Sequence, residues 1–172
     1  MKTTRGLIEP VEYLGIDLSD RYAKNRRPND VCGLTSVECD KLSATFWLWE
    51  WSEPERRLDV SEIMKEMQTA KATMIDGPQA LASTGNALRA CERACGAAGK
   101  TPDVLPSLGK PFAGFVRSSV ELFSAFAALN LIVSPSQFMD GISEVYPAIS
   151  DIVWSDPQFP KKADTRDVAR VN

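Results

Sequence analysis

Three carboxylates in this sequence sit where carboxylates are costly. Asp17 lies inside the apolar stretch "YLGIDL", and Asp76 ends the apolar run "ATMID" just before Gly77-Pro78. Glu144 lies in "GISEVYP", a strand-like stretch halted by Pro147. A buried carboxylate is unfavourable unless it is paired, hydrogen-bonded or bound to a metal. Backbone amides of a following loop satisfy one such group without any chemistry. Three converging on one sheet would repel one another unless cations neutralise them. Magnesium or manganese fits, because it takes a few carboxylates together with waters and substrate phosphates. Two such ions activate water and stabilise the leaving oxygen in phosphodiester hydrolysis. Asp17, Asp76 and Glu144 are therefore the candidate catalytic and metal-binding residues.

Composition narrows the chemistry further. The 172 residues contain no histidine, which removes the usual Ser-His and Cys-His nucleophile pairs. Cys32, Cys39, Cys91 and Cys95 read as reduced thiols rather than a zinc site, since no further soft ligands accompany them. A net charge of -3 argues against broad nucleic-acid binding, although a local basic patch can do that work. Arg21, Lys24, Arg26 and Arg27, in the loop after Asp17, form one such candidate patch; its plain reading is a solvated polar loop. No stretch is long and apolar enough for a transmembrane helix, and Glu9, Pro10 and Glu12 interrupt any signal core. A cytoplasmic protein with no membrane partner is expected.

The elements that must position the carboxylates follow from periodicity. Residues 11–18 read as a first strand with Asp17 near its end, and residues 19–30 as a loop. "VCGLTSVEC" (31–39) and "ATFWLWEW" (44–51) read as a hairpin around Asp40-Lys41, which completes a three-strand meander. Trp47, Trp49 and Trp51 alternate as one face of a sheet does, and they read as packing under a helix rather than as a base-stacking platform. A helix over 59–70 opens on a capping-box spacing, Asp59 to Glu62, and leads into the strand 72–76. A crossover helix lets that fourth strand pair beside the first, which brings Asp17 and Asp76 together. Helices over 86–99 and 113–130 follow, then a strand over 141–147 carrying Glu144, a helical turn or two, and a basic tail. The expected fold is α/β: a mixed five-stranded sheet with an antiparallel meander, a crossover helix and then parallel strands, flanked by helices.

"GIDLS" (15–19), "MIDGPQALA" (74–82), "LRACERACGAAG" (88–99) and "SEVYPAIS" (143–150) resemble, in order and spacing, the successive motifs of an uncharacterised family of predicted RNase H-like nucleases. The resemblance covers most of the chain. It implies a single ribonuclease H-like domain over 1–172, lacking the last helix with which family members continue. It also implies that Asp17 and Asp76 are the strand-end aspartates and Glu144 the glutamate before the proline. Arg89 and Glu92 match the family's arginine-cysteine-acid segment, and Lys161-Lys162 its basic stretch. One departure is the basic loop after the first strand. The nuclease label is itself an inference from fold, so it adds little biochemistry.

The first function expected is thus a metal-dependent nuclease that uses Mg2+ or Mn2+, with nucleic acid as partner. Lys24, Arg26, Arg27, Arg89, Lys161 and Lys162 are its candidate substrate contacts, and a homodimer is compatible with it. For Arg89 and Glu92 the plain reading is an exposed helix pair, and for Lys161 and Lys162 a solvated tail. Two alternatives stand beside it: a non-catalytic binding or assembly module of the same fold, and an actin-like nucleotide-binding or phosphoryl-transfer protein. The latter needs a glycine-rich phosphate loop after strand one, and "DLSDRYAKN" contains no glycine.

Overall fold

The structure, a computed structural model, describes residues 11–37, 41–96, 101–131 and 141–145. Among them, β1 (Tyr13–Asp17), β2 (Asn29–Val37), β3 (Lys41–Trp49), β4 (Ala72–Asp76) and β5 (Gly141–Val145) form one mixed open sheet in the order β3-β2-β1-β4-β5. The first four are a meander followed by a crossover: β1, β2 and β3 pair antiparallel, and β4 pairs parallel to β1. β5 lies parallel to β4 at the edge. Among the described residues three helices accompany these strands: α1 (Ser61–Met67), α2 (Ala90–Cys95) and α3 (Ala113–Ala128).

One face of the sheet makes the core. Leu14, Ile16, Val31, Trp49 and Ile75 meet Ile63 and Met67 of α1 and Leu122, Phe123 and Phe126 of α3 in one buried apolar cluster. The expected tryptophan packing holds for Trp49 and Trp51, which are buried, while Trp47 packs half-buried against the same cluster. Residues level on adjacent strands share a face. The register therefore places Tyr13, Phe46 and Met74 together on the opposite face, where all three are exposed. Leu48, level with Asp30, is exposed on that face as well.

Several boundaries differ from the sequence-based expectation, each for a local reason. α1 starts at Ser61, and Asp59 does not form the expected box with Glu62; its Oδ1 accepts the Ser61 amide at 2.9 Å instead. α2 is far shorter than 86–99. It begins after Arg89, where the Glu92 side chain accepts the Arg89 amide, and it ends at Gly96, whose φ of 62° suits glycine. β2 and β3 begin at Asn29 and Lys41, each earlier than the apolar run suggests, because ladder pairing reaches Asn29↔Trp49 at one end and Val37↔Lys41 at the other. The tail with Lys161 and Lys162 lies outside the described residues. Among the described residues no helix is long and apolar enough to cross a membrane.

Candidate functional site

β1 and β4 run parallel with Asp17 level with Asp76, so both strands end on a carboxylate at the same height. Neighbouring strands lie about 4.8 Å apart, close enough for two such side chains to reach one cation. Asp17 is exposed and Asp76 half-buried. On the other side of β1, Asp17 is the direct partner of Asp30, which is also exposed. Three aspartates thus stand in one row across β2, β1 and β4. The row spans about 10 Å from Asp30 to Asp76, too wide for one small ion to draw on all three. Among the described residues no group of three or more His, Cys, Asp or Glu is arranged to hold a metal ion. The chemistry of the pair itself fits a hard cation, as two oxygen donors that need substrate or water to complete the shell.

Glu144 occupies β5 level with Ile75, one residue short of the Asp17–Asp76 row, and Val145 is level with Asp76. The Glu144 side chain lies outside the described residues.

The chain leaves β1 through a buried polar network. Asn29 is 0% exposed; its Oδ1 accepts the Ser19 amide at 2.8 Å, and its Nδ2 donates to the Trp49 carbonyl at 3.1 Å. Ser19 Oγ donates to the Arg27 carbonyl at 2.6 Å and accepts the Trp51 indole N–H at 2.8 Å. These bonds satisfy polar groups that burial would otherwise leave costly. They also fix Ser19, the second residue after Asp17.

Arg21 differs from its reading as part of a basic patch. It is 3% exposed, and its guanidinium donates to the carbonyls of Ser52 (3.1 Å), Glu53 (2.7 Å) and Arg56 (2.7 Å) and to Glu121 Oε2 (3.1 Å). It clamps the loop after β3 to α3 and takes no part in a surface. The Tyr22 hydroxyl donates to Glu121 as well. Burial, and then that hydrogen bond, push the phenol up to about 12. Arg26 pairs with Glu53 at 2.6 Å on the surface. Lys24 and Arg27 are exposed in the same loop.

The chain leaves β4 through Gly77-Pro78, and here α3 sets the terms. A Cβ at Gly77 would collide with Ser119 Oγ and come within 3.0 Å of Leu18 Cδ1, so any side chain there would force these neighbours to move. The next carbonyl, of Pro78, accepts from Ser119 Oγ at 3.0 Å. Near the start of α3, a Cβ at Gly114 would collide with the Asp20 carboxylate. Both strand-end loops therefore press on the same helix.

Arg89 and Glu92 are not an exposed pair. Glu92 is 8% exposed and accepts from the Arg89 amide (3.0 Å), Arg89 Nε (3.0 Å), the Thr101 amide (3.0 Å) and Thr101 Oγ1. Burial alone would raise its pKa, but the bonds from Thr101 and Arg89 outweigh it and the carboxyl is held below its ordinary value. Arg89 also lines an open hollow with Gln79, Ala80 and Phe123.

Sequence reasoning missed Asp30 and the two buried serines, Ser118 and Ser119. The serines did carry a signal: an adjacent polar pair inside an otherwise apolar helix, "FVRSSVELF". No family model matches this chain, and neither a curated protein nor a solved structure matches it.

Proposed function

We propose that this chain is a metal-dependent phosphodiesterase of ribonuclease H-like fold that acts on nucleic acid. The observation that carries the reading is the level pairing of Asp17 with Asp76 at the ends of adjacent parallel strands. The order of elements supports it, with a meander, a crossover helix and then a parallel strand. A bound Mg2+ or Mn2+ supplies Lewis-acid chemistry at a phosphate ester. Asp17 and Asp76 are the residues that would hold the cation, which would take its remaining oxygen ligands from water and substrate. Asp30 stands too far from Asp76 to share one small ion, and Glu144 is level with Ile75 of the core face. Lys24 and Arg27, exposed in the loop that leaves β1, are the candidate phosphate contacts near this end of the sheet. Arg26, answered by Glu53, contributes less, and Arg89 is paired with Glu92.

The test is a Mn2+ and Mg2+ titration by calorimetry on wild type, Asp17→Asn and Asp76→Asn, followed by cleavage assays on single-stranded DNA, RNA and a hybrid. Uptake that disappears in both variants, together with metal-dependent cleavage, is the expected result. A wild-type protein that takes up neither ion overturns the reading. Asp30→Asn and Glu144→Gln are the controls, and uptake persists in both.

A second reading, a non-catalytic assembly module, is favoured by the exposed Phe46 and Leu48 on the same sheet face as the aspartates. Cation uptake without cleavage of any of the three substrates is its signature. An actin-like phosphoryl-transfer role finds less support, because residues 18–28 contain no glycine.

A further inference from the structure

Ser118 and Ser119 are adjacent on α3 and each is 0% exposed. Consecutive helical residues point about 100° apart, so the two hydroxyls meet different neighbours. Ser118 Oγ donates back to the Gly114 carbonyl at 2.7 Å and accepts the Arg21 amide at 3.0 Å. Ser119 Oγ donates to the Pro78 carbonyl at 3.0 Å. Arg21 follows Asp17 by four residues, and Pro78 follows Asp76 by two. The same turn of one helix thus holds the loop after each candidate aspartate. The approach is close enough that Gly77 and Gly114 have no room for a side chain.

We infer that Ser118 and Ser119 are positioning residues: they bind both strand-end loops to α3 and so set the separation of the Asp17 and Asp76 carboxylates. The functional half of this inference rests on reading those aspartates as cation ligands; the mechanical half does not. Serines that merely satisfied buried groups would affect stability and leave cation affinity alone. A shared anchor behaves differently, because freeing one loop lets α3 shift and loosens the other.

Ser124 is the internal control. It lies on α3, is exposed, and makes the same bond back to the helix, to the Val120 carbonyl at 2.7 Å. The full-length chain and its Ser118→Ala, Ser119→Ala and Ser124→Ala variants are compared by Mn2+ calorimetry and by amide hydrogen exchange. Thermal unfolding first establishes that each is folded at the temperature used. Expected are about 10-fold weaker Mn2+ binding in the first two variants, a loss typical of groups that orient metal ligands, and no change in the third. Exchange rises in both loops, 18–22 and 77–82, in Ser118→Ala and in Ser119→Ala alike. Faster exchange confined to the substituted serine's own loop overturns the inference, as does unchanged affinity in both. Should Ser118→Ala fail to fold, Ser119→Ala decides alone. Should wild type take up no Mn2+, the cation reading falls, and the two-loop exchange pattern alone decides the mechanical claim.

Discussion

Asp17 and Asp30 are direct antiparallel partners, both exposed, and among the described residues neither side chain meets a cation. Like charges opposite one another on a sheet are destabilising by about 0.2–1 kcal/mol. Asp30→Asn therefore raises the unfolding temperature of the chelator-treated protein at low salt. The gain shrinks as ionic strength screens the pair. Thermal scans in EDTA at two salt concentrations check this; a lowered Tm at low salt refutes it.

The Arg21 clamp makes a stronger claim. Arg21→Met removes the cation that answers Glu121 and three loop carbonyls, and a buried pair broken on one side costs about 3–5 kcal/mol. The Glu121 end is partly exposed, so the lower part of that range is expected. Arg21→Lys recovers little, because one ammonium cannot serve acceptors that a planar guanidinium spans. Urea unfolding of the three proteins measures both losses.

Glu92 predicts a pH dependence. Its carboxyl is held below the ordinary 4.5 in the folded chain, so the unfolded chain binds the proton more readily. The stabilisation is fully present above about pH 4.5 and is lost as pH falls through the lower folded value. Wild type thus exceeds Glu92→Gln in stability at pH 7, and the difference narrows only under acid. A difference that instead widens on acidification contradicts the assignment.

Gly77→Ala places a methyl group against Ser119 Oγ and Leu18. Overpacking of this kind costs about 1–3 kcal/mol. Coupling with Ser119→Ala is the diagnostic. The double variant regains part of the loss, because the hydroxyl that obstructs the new methyl is gone. Additive losses in a double-mutant cycle rule this packing account out.

What was legible in the sequence was the part governed by short-range rules. Period-two alternation in "ATFWLWEW" and the crossover rule together bring Asp17 beside Asp76, since both depend on local pattern and chain order. Asp30 escaped because its place depends on register. β2 starts at Asn29 rather than at Val31, and only the ladder to Tyr13–Asp17 sets Asp30 opposite Asp17. α2 was overextended because the Glu92 carboxylate that shapes its start also binds Thr101, beyond the expected helix end. Arg21 read as surface charge because its amide partner, Ser118, lies 97 residues away, and spacing carries no information at that range.

The Trp51 indole bond to Ser19 has an optical consequence. Trp51 is buried, its ring centroid lies 4.9 Å from that of Trp49, and its N–H is held by the second residue after Asp17. Intrinsic fluorescence of this pair therefore reports on the β1 exit loop without any attached dye. Loss of the Trp51–Ser19 bond changes the surroundings of this indole, and emission follows it.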